Sequence, residues 1–356
     1  MIYSTHRRLK RALIILIILS LLYLFGIFHH AFESDFYNDF HYPYDGDIEM
    51  FIQKLKKDVT PDMKPINSYH FQYYKNCSKK CTDVQNLRLV YLIKSDPHNF
   101  YRRIIIRKSW GYERRFADIE IRTVFLIGLR ESESLQKLID EENRKFSDIV
   151  QANFSDTYYN NTYKTMMGMQ WVIKFCPDSK FYLFADDDYY ISTKNVLRFL
   201  RFPTKYPQYL KEPMANVESS LARYSRQSDD VKLYTGYVFK SAPLRNYFSK
   251  WYVSLQEYPY HMWPPYVTAG AFILSRSALT DMYYSSFYTQ HFRFDDIYVG
   301  LLAYKAKIEP LHCDEFHFYR KAYNKLNFEY TIASHGYGDP EELVTIWAEQ
   351  NSLGNA

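Results

Sequence analysis

Asp186-Asp187-Asp188 are the residues whose type and spacing most directly suggest chemistry. Like charges a few ångströms apart repel, and a chain segment held in place cannot relieve that repulsion by moving away. A hard divalent cation relieves it, and oxygen ligands suit Mg²⁺ or Mn²⁺. Such a cation would in turn hold a diphosphate. A lone acidic triplet is usually a solvated turn. Here the apolar run Lys180-Phe-Tyr-Leu-Phe-Ala185 leads into it and Tyr189-Tyr190-Ile191 follows, which pins the carboxylates between buried segments. A second acidic pair, Asp295-Asp296, precedes an apolar stretch. Taken alone, such a pair suits the cap of a helix beginning near Ile297. His312, His317 and His335 follow downstream.

The elements that would position these groups alternate. Leu87–Ile93, Ile121–Ile127, Asp148–Gln151 and Lys180–Ala185 are short apolar strands, with a stop expected at Gly128. Between them Phe100–Ser109, Ser132–Lys145 and Thr162–Phe175 carry helical spacing. Such alternation implies an α/β fold with a Rossmann-like, mostly parallel sheet covered by helices on both faces. Ligands in such sheets gather at the carboxyl ends of strands, where the aspartates fall.

The amino-terminal region predicts a membrane anchor. Residues 12–28 are uncharged and mostly apolar, preceded by His6, Arg7, Arg8, Lys10 and Arg11 and followed by Glu33, Asp35 and Asp39. The positive-inside rule then makes 1–11 a cytosolic tail and 12–28 a single type II transmembrane signal anchor. Residues 29–82, aromatic and charged with Pro43, Pro61 and Pro65, read as a stem or linker, and 83–356 as the lumenal catalytic domain. Sequons at Asn76, Asn153 and Asn160 suit a glycoprotein of the secretory pathway. Cys77, Cys81, Cys176 and Cys313 suffice for two disulfides there, in any of three connectivities. Half a zinc site at Cys77-x-x-x-Cys81 finds no completing ligand pair at the usual spacing. The 36 tyrosines suit carbohydrate surfaces, and suit core packing equally. The net charge of +5 is small, and without a dense basic run or a known binding module it gives no case for nucleic acid.

Several motifs, taken in order, carry a family resemblance. Arg103-Ile-Ile-Ile-Arg107-Lys-Ser-Trp110-Gly111 resembles R-x-x-I-R-x-T-W-G, and Phe125-Leu-Ile-Gly128 resembles F-x-x-G. The segment Asp148 to Thr165 resembles D-I-x-x-x-D-F-x-D-x-Y-x-N-L-T-x-K-T. Trp263-Pro-Pro-Tyr266 to Ser275 is similar to Y-P-x-Y-x-x-G-x-G-Y-x-L-S, and Asp295-Asp296-Ile-Tyr-Val-Gly300 to E-D-V-Y-x-G. With the aspartate triplet, this is the pattern of glycosyltransferase family 31, the β-1,3-galactosyltransferase and β-1,3-N-acetylglucosaminyltransferase group, and the resemblance spans roughly Leu87 to the carboxyl-terminal region. Asn153, Asn161, Val267, Ala269, Ala271 and Asp295 depart from it, which marks a divergent branch.

The resemblance implies a GT-A fold in the Golgi membrane and a metal-dependent, inverting hexosyltransferase, with Mn²⁺ or Mg²⁺ as cofactor. Its partners would be a UDP-sugar, galactose foremost, and a glycan hydroxyl receiving it in β-1,3 linkage; self-association into a homo-oligomer is left open. It implies Asp296 as the catalytic base and Asp188 with His335 at the metal. Arg103, Arg107, Lys164, Asp186 and Asp187 would contact the donor, and Trp263, Tyr266, Gly270 and Asp295 would shape the acceptor pocket. N-acetylglucosamine transfer and a non-catalytic Golgi binder or chaperone are the alternatives within the fold. A metal-dependent phosphotransferase or hydrolase lacks a phosphate-cradling glycine-rich loop in this sequence.

Overall fold

β-Branched, aromatic and leucine side chains dominate the strand segments, and burial on both faces explains why they read as continuous apolar runs rather than alternating ones. The computed structural model describes residues 2–44, 46–82, 84–212 and 231–356. The chain divides into two units, one of 1–45 with 240–265 and a larger one of 46–239 with 266–356.

The larger unit is built on β1 (Tyr73–Lys75), β2 (Leu87–Lys94), β3 (Glu120–Leu129), β4 (Ile149–Ser155), β5 (Phe181–Asp186), β7 (Tyr234–Phe239), β8 (Tyr266–Ser275) and β9 (Leu311–His312). They form one sheet in the order β1-β4-β3-β2-β5-β8-β7-β9. The four central strands β4, β3, β2 and β5 are parallel, while β1 and β8 add antiparallel to that block. A smaller sheet joins β6 (Tyr190–Ile191), β10 (Phe316–His317) and β11 (Ala333–Ser334) in the order β10-β11-β6. The observed elements follow the expected ones closely, except that β3 runs through Gly128 and β4 continues to Ser155. Gly128 is held in the strand because its N–H donates to Asp156 Oδ2 at 2.6 Å. The helix expected from Ser132 begins at Glu133, with Ser132 as its cap: Leu135 N–H donates to Ser132 Oγ at 3.3 Å.

The amino-terminal third departs from the expected boundaries. The apolar run lies in a helix, Ile2–Leu24, that starts within the basic tail and ends before Phe28. Its apolar part is therefore short, and among the described residues no helix is long and apolar enough to cross a membrane. Residues 29–82 are also not a bare linker. Arg245 is buried in the smaller unit, donating to Glu33 Oε1 at 2.8 Å and to the Tyr258 carbonyl at 2.8 Å. In the larger unit Phe51 and Ile52 of the Glu49–Lys56 helix are buried, and β1 pairs with β4 as the sheet's edge. Spacing alone missed these because their partners lie far away in sequence.

One disulfide, Cys81–Cys176, ties the stretch before β2 to the end of the Asn161–Phe175 helix, with Cα atoms 5.3 Å apart. Cys77 and Cys313 remain thiols, so the second bridge that four cysteines allow is not formed. Cys313 lies buried just after β9, and burial pushes its thiol up to about 12.

Candidate active site

Strands β2 and β5 end in register, Lys94 opposite Asp186. The acidic turn therefore begins where β5 leaves the sheet, and Asp187 N–H still donates to the Lys94 carbonyl at 3.1 Å. Strand β8 runs antiparallel to β5 with Ala271 opposite Ala185, which brings Ala269 and Gly270 past the same end. The Asp295–Lys305 helix packs on β8 and starts with the second acidic pair.

Lys94 joins these pieces. Its buried ammonium lies 2.9 Å from Asp186 Oδ1, 2.9 Å from Asp295 Oδ2 and 2.9 Å from the Ala269 carbonyl. Burial alone would lower its pKa, but the two carboxylates win and raise it, so it stays charged. Two acidic clusters 107 to 110 residues apart in sequence are thus held to one cation. Sequence reading missed Lys94. Its charge at the end of an otherwise apolar strand was the available clue.

Each aspartate of the triplet has a different environment. Asp186 keeps 37% of its side chain open, yet burial of its carboxyl, with Asp188 and Asp295 nearby, pushes it up to about 6 against the pull of Lys94. Asp187 is buried and committed to protein: it accepts from Ser95 Oγ at 2.6 Å, Asn99 Nδ2 at 2.9 Å and Arg102 Nη1 at 2.9 Å. The expected donor contact by Asp187 is therefore replaced by a role in holding the turn. Asp188 Oδ2 lies 3.2 Å from His335 Nε2, while its Oδ1 is buried without a protein partner. Burial works to raise Asp188, but the His335 hydrogen bond and the charges of His335 and Arg102 hold it below the ordinary carboxylate range. The same hydrogen bond raises His335.

Strand pairing explains why His335 and no other histidine arrives there. β11 pairs antiparallel with β6, Ser334 opposite Tyr190, so the residue after Ser334 meets the turn before Tyr190. Tyr337 N–H then donates to the Asp188 carbonyl at 2.8 Å. His312 instead sits on β9, where its Nδ1 accepts from Val238 N–H at 3.1 Å, and His317 lies on β10. Two glycines keep the site tight. A Cβ at Gly338 would lie 2.5 Å from Arg102 Nη2, and one at Gly270 would lie 2.1 Å from the Tyr189 hydroxyl. Tyr189 is buried with its ring 5.3 Å from that of His335.

Asp295 and Asp296 are the first two residues of their helix, not its cap, which is Phe294 without a side-chain bond. Asp295 takes Lys94 and, at 3.4 Å, the Thr165 hydroxyl. Asp296 accepts from Ile297 N–H at 2.8 Å. Burial, then repulsion from Asp295, pushes Asp296 up to about 7. A carboxyl at that value exchanges a proton readily near neutral pH.

The three cations expected at the nucleotide are corrected. Arg103 is fully buried and has no N–H left for a ligand: its donors go to Glu142, Ser95 Oγ at 3.0 Å, and the Asp96 and Pro97 carbonyls. Arg107 pairs with Glu142 at 2.7 Å and Asp148 at 2.8 Å, between the rings of Phe125 and Phe146. Lys164 is buried on Asp156 and the Ser95 carbonyl, both at 2.8 Å. Arg103 and Lys164 brace the loop after β2, through which Ser95 reaches Asp187, and Arg107 shares Glu142 with Arg103. Besides Lys94, the cation that reaches the acidic turn is Arg102, one third exposed, bonded to Asp187 and the Gly338 carbonyl. Asn99 and Arg102, three apart, share one helix face, a clue hidden beside the more conspicuous Arg103.

Tyr266 opens β8 and stacks on Phe239 at 5.7 Å. Trp263 belongs to the smaller unit, packed on Tyr258 at 3.9 Å. Of the sequon asparagines, Asn76 and Asn153 are exposed; Asn160 is half-buried and donates to the Ser155 carbonyl at 2.8 Å. Among the described residues no three or more His, Cys, Asp or Glu side chains gather as a ready metal cage. The protein donors at the acidic turn are the pair Asp188 and His335. The buried, unpartnered Asp188 Oδ1 fits a cation that takes its remaining ligands from diphosphate and water.

A profile of the galactosyltransferase family matches residues 101–214 and 212–314, which include the aspartate triplet and Asp295-Asp296. The chain belongs to the galactosyltransferase family. It is 42% identical over 357 residues to a protein named β-1,3-galactosyltransferase brn of Drosophila melanogaster, covering 99% of both chains. It is 32% identical over 290 residues to human β-1,3-galactosyltransferase 1, covering 81% of each. Among solved structures, a glycosyltransferase involved in glycosylation of the PBCV-1 major capsid matches with a TM-score of 0.32 at 14% identity, over 73% of this chain and 98% of that one. The galactosyltransferase family assignment agrees with the motif resemblance.

Proposed function

We propose that this family member transfers galactose from a UDP-sugar to a glycan hydroxyl, forming a β-1,3 linkage with inversion. The observation that carries this reading is Lys94, which holds the donor-side Asp186 and the base-side Asp295 within 2.9 Å of one ammonium. The names of the relatives supply the galactose and the linkage.

In this reading Asp296 takes the proton of the acceptor hydroxyl as the new carbon–oxygen bond forms and the bond to the leaving UDP oxygen breaks. Burial, with the negative charge of Asp295 beside it, keeps Asp296 poised near pH 7, and Asp295, held by Lys94, does not itself act. Asp188 and His335 would hold a divalent cation, which when bound supplies Lewis-acid neutralisation of the diphosphate. Asp187, fixed by Ser95, Asn99 and Arg102, keeps the turn in place, and Arg102 faces the donor side. Tyr266 and Gly270 line the acceptor side, where the close approach of Tyr189 to Gly270 narrows the space. The Cys81–Cys176 disulfide and the exposed Asn76 and Asn153 support an oxidising, lumenal compartment such as the Golgi.

The test is UDP release and product formation by the purified chain, with a UDP-sugar panel and added Mn²⁺. Transfer is expected with UDP-galactose, lost on chelation, and lost in Asp188→Asn with an unchanged thermal midpoint. Transfer that survives both treatments would refute the metal assignment, and preference for UDP-N-acetylglucosamine would refute the donor.

A further inference from the structure

At the opposite ends of the same strands lies a second recess, of about 650 Å³. Arg88, near the start of β2, and Lys180, directly before β5, contribute to it, with Lys194, Arg198 and Arg201 from the Thr193–Arg201 helix. Among the described residues, Asp118 is the sole acidic one in its wall. No dense basic run appears in the sequence because these cations come from three separate stretches that only the fold assembles.

The Thr193–Arg201 helix supplies three of these cations and no carboxylate to balance them. Among the described residues, none of Lys194, Arg198 and Arg201 forms a salt bridge: Lys194 Nζ donates to the Gly354 carbonyl and Arg198 Nη1 to Asn195 Oδ1 at 3.0 Å, both neutral acceptors, and the two cations are spaced four apart, where like charges destabilise a helix. A helix dipole favours Arg198 and Arg201 in the last turn but opposes Lys194 in the first. Burial lowers the Lys194 amine, and repulsion from Arg198 and Arg115 lowers it further. Between the cations the wall is apolar and aromatic, with Phe116, Leu197 and Tyr209, whose hydroxyl is fixed on the Arg198 carbonyl at 2.7 Å.

We propose that this recess binds an acidic oligosaccharide, sulfate- or carboxylate-bearing, at a site separate from the reacting atoms. Arg88 and Lys94 lie six residues apart on β2, so the two ends of the strand are about 20 Å apart. The recess has the volume of pockets that enclose small ligands, about 300–1,000 Å³. A linear saccharide can enter it, set its anions among the cations and lay a ring face against the half-buried Phe116. A flat lipid surface cannot enter a recess. The site serves to retain an anionic glycan chain near the enzyme while another hydroxyl is served at the catalytic end.

The experiment is calorimetric titration with a heparin-derived hexasaccharide, independent of transfer activity. The parent chain is expected to bind saturably, and Arg198→Gln with Arg201→Gln to weaken Kd at least tenfold while transfer to a neutral acceptor is unchanged. Lys137→Gln with Arg144→Gln, an equal charge change on an exposed helix face, is expected to leave Kd as it was. Should the first pair fail to fold, Arg201→Gln alone, at an exposed position, is expected to weaken Kd at least threefold. Absent saturable binding, equal loss in both double variants, or displacement by inorganic sulfate at the same sulfate concentration would overturn the proposal. So would tighter binding of an RNA oligonucleotide or of phosphatidylserine vesicles than of the hexasaccharide.

Discussion

Replacing Asp296 by Asn separates catalysis from stability, because the two are expected to move in opposite directions. In the folded chain this carboxyl sits at about 7 instead of 3.8, driven first by burial and then by Asp295. The native state thus holds the proton more tightly than the unfolded chain. The favourable contribution is complete below pH 3.8 and is lost as pH rises towards 7, where ionising the buried group costs about 4 kcal/mol relative to the unfolded state. Asn does not titrate. The stability of Asp296→Asn relative to the parent should therefore improve by about 2–3 kcal/mol between pH 5 and pH 8. Over the same interval the parent's kcat/KM should climb with an inflection near pH 7, and the variant's turnover should fall about 10²–10⁴-fold. Urea unfolding of both proteins at the two pH values, with donor affinity and turnover at saturating acceptor, measures every term. A stability difference that does not change with pH would refute the buried, raised carboxyl. Near-normal turnover would remove Asp296 from the mechanism.

Other perturbations probe the supports of the site. Glu142→Ala leaves Arg103 and Arg107 without their shared buried carboxylate and should cost about 3–5 kcal/mol by urea unfolding; a loss below 1 kcal/mol would show that water replaces it. Gly270→Ala places a methyl against the Tyr189 hydroxyl and should destabilise by about 1–3 kcal/mol. Adding Tyr189→Phe removes the clashing oxygen and should recover part of that loss; no recovery would place the strain elsewhere. Cys81→Ser opens a link spanning 95 residues and should cost about 2–5 kcal/mol, read as a lower thermal midpoint that added reductant reproduces in the parent.

Local chemistry was enough to read the strands and helices from Leu87 to Asp188, because apolar runs, a serine cap and helical spacing act within a few residues of themselves. The carboxylates Asp188, Asp295 and Asp296 drew notice for a related reason: unusual carboxylate density stands out in any order of residues. Which histidine meets Asp188 was decided only by the pairing of β11 with β6, a contact across more than 140 positions. Lys94 and Arg102 look ordinary in one dimension, whereas Arg103, Arg107 and Lys164 look functional. The fold reverses those appearances, since a cation's role depends on whether its partners are protein carboxylates or open space. The same reason hides the basic recess, whose residues acquire a common field only when the starts of β2 and β5 and the Thr193–Arg201 helix are brought side by side.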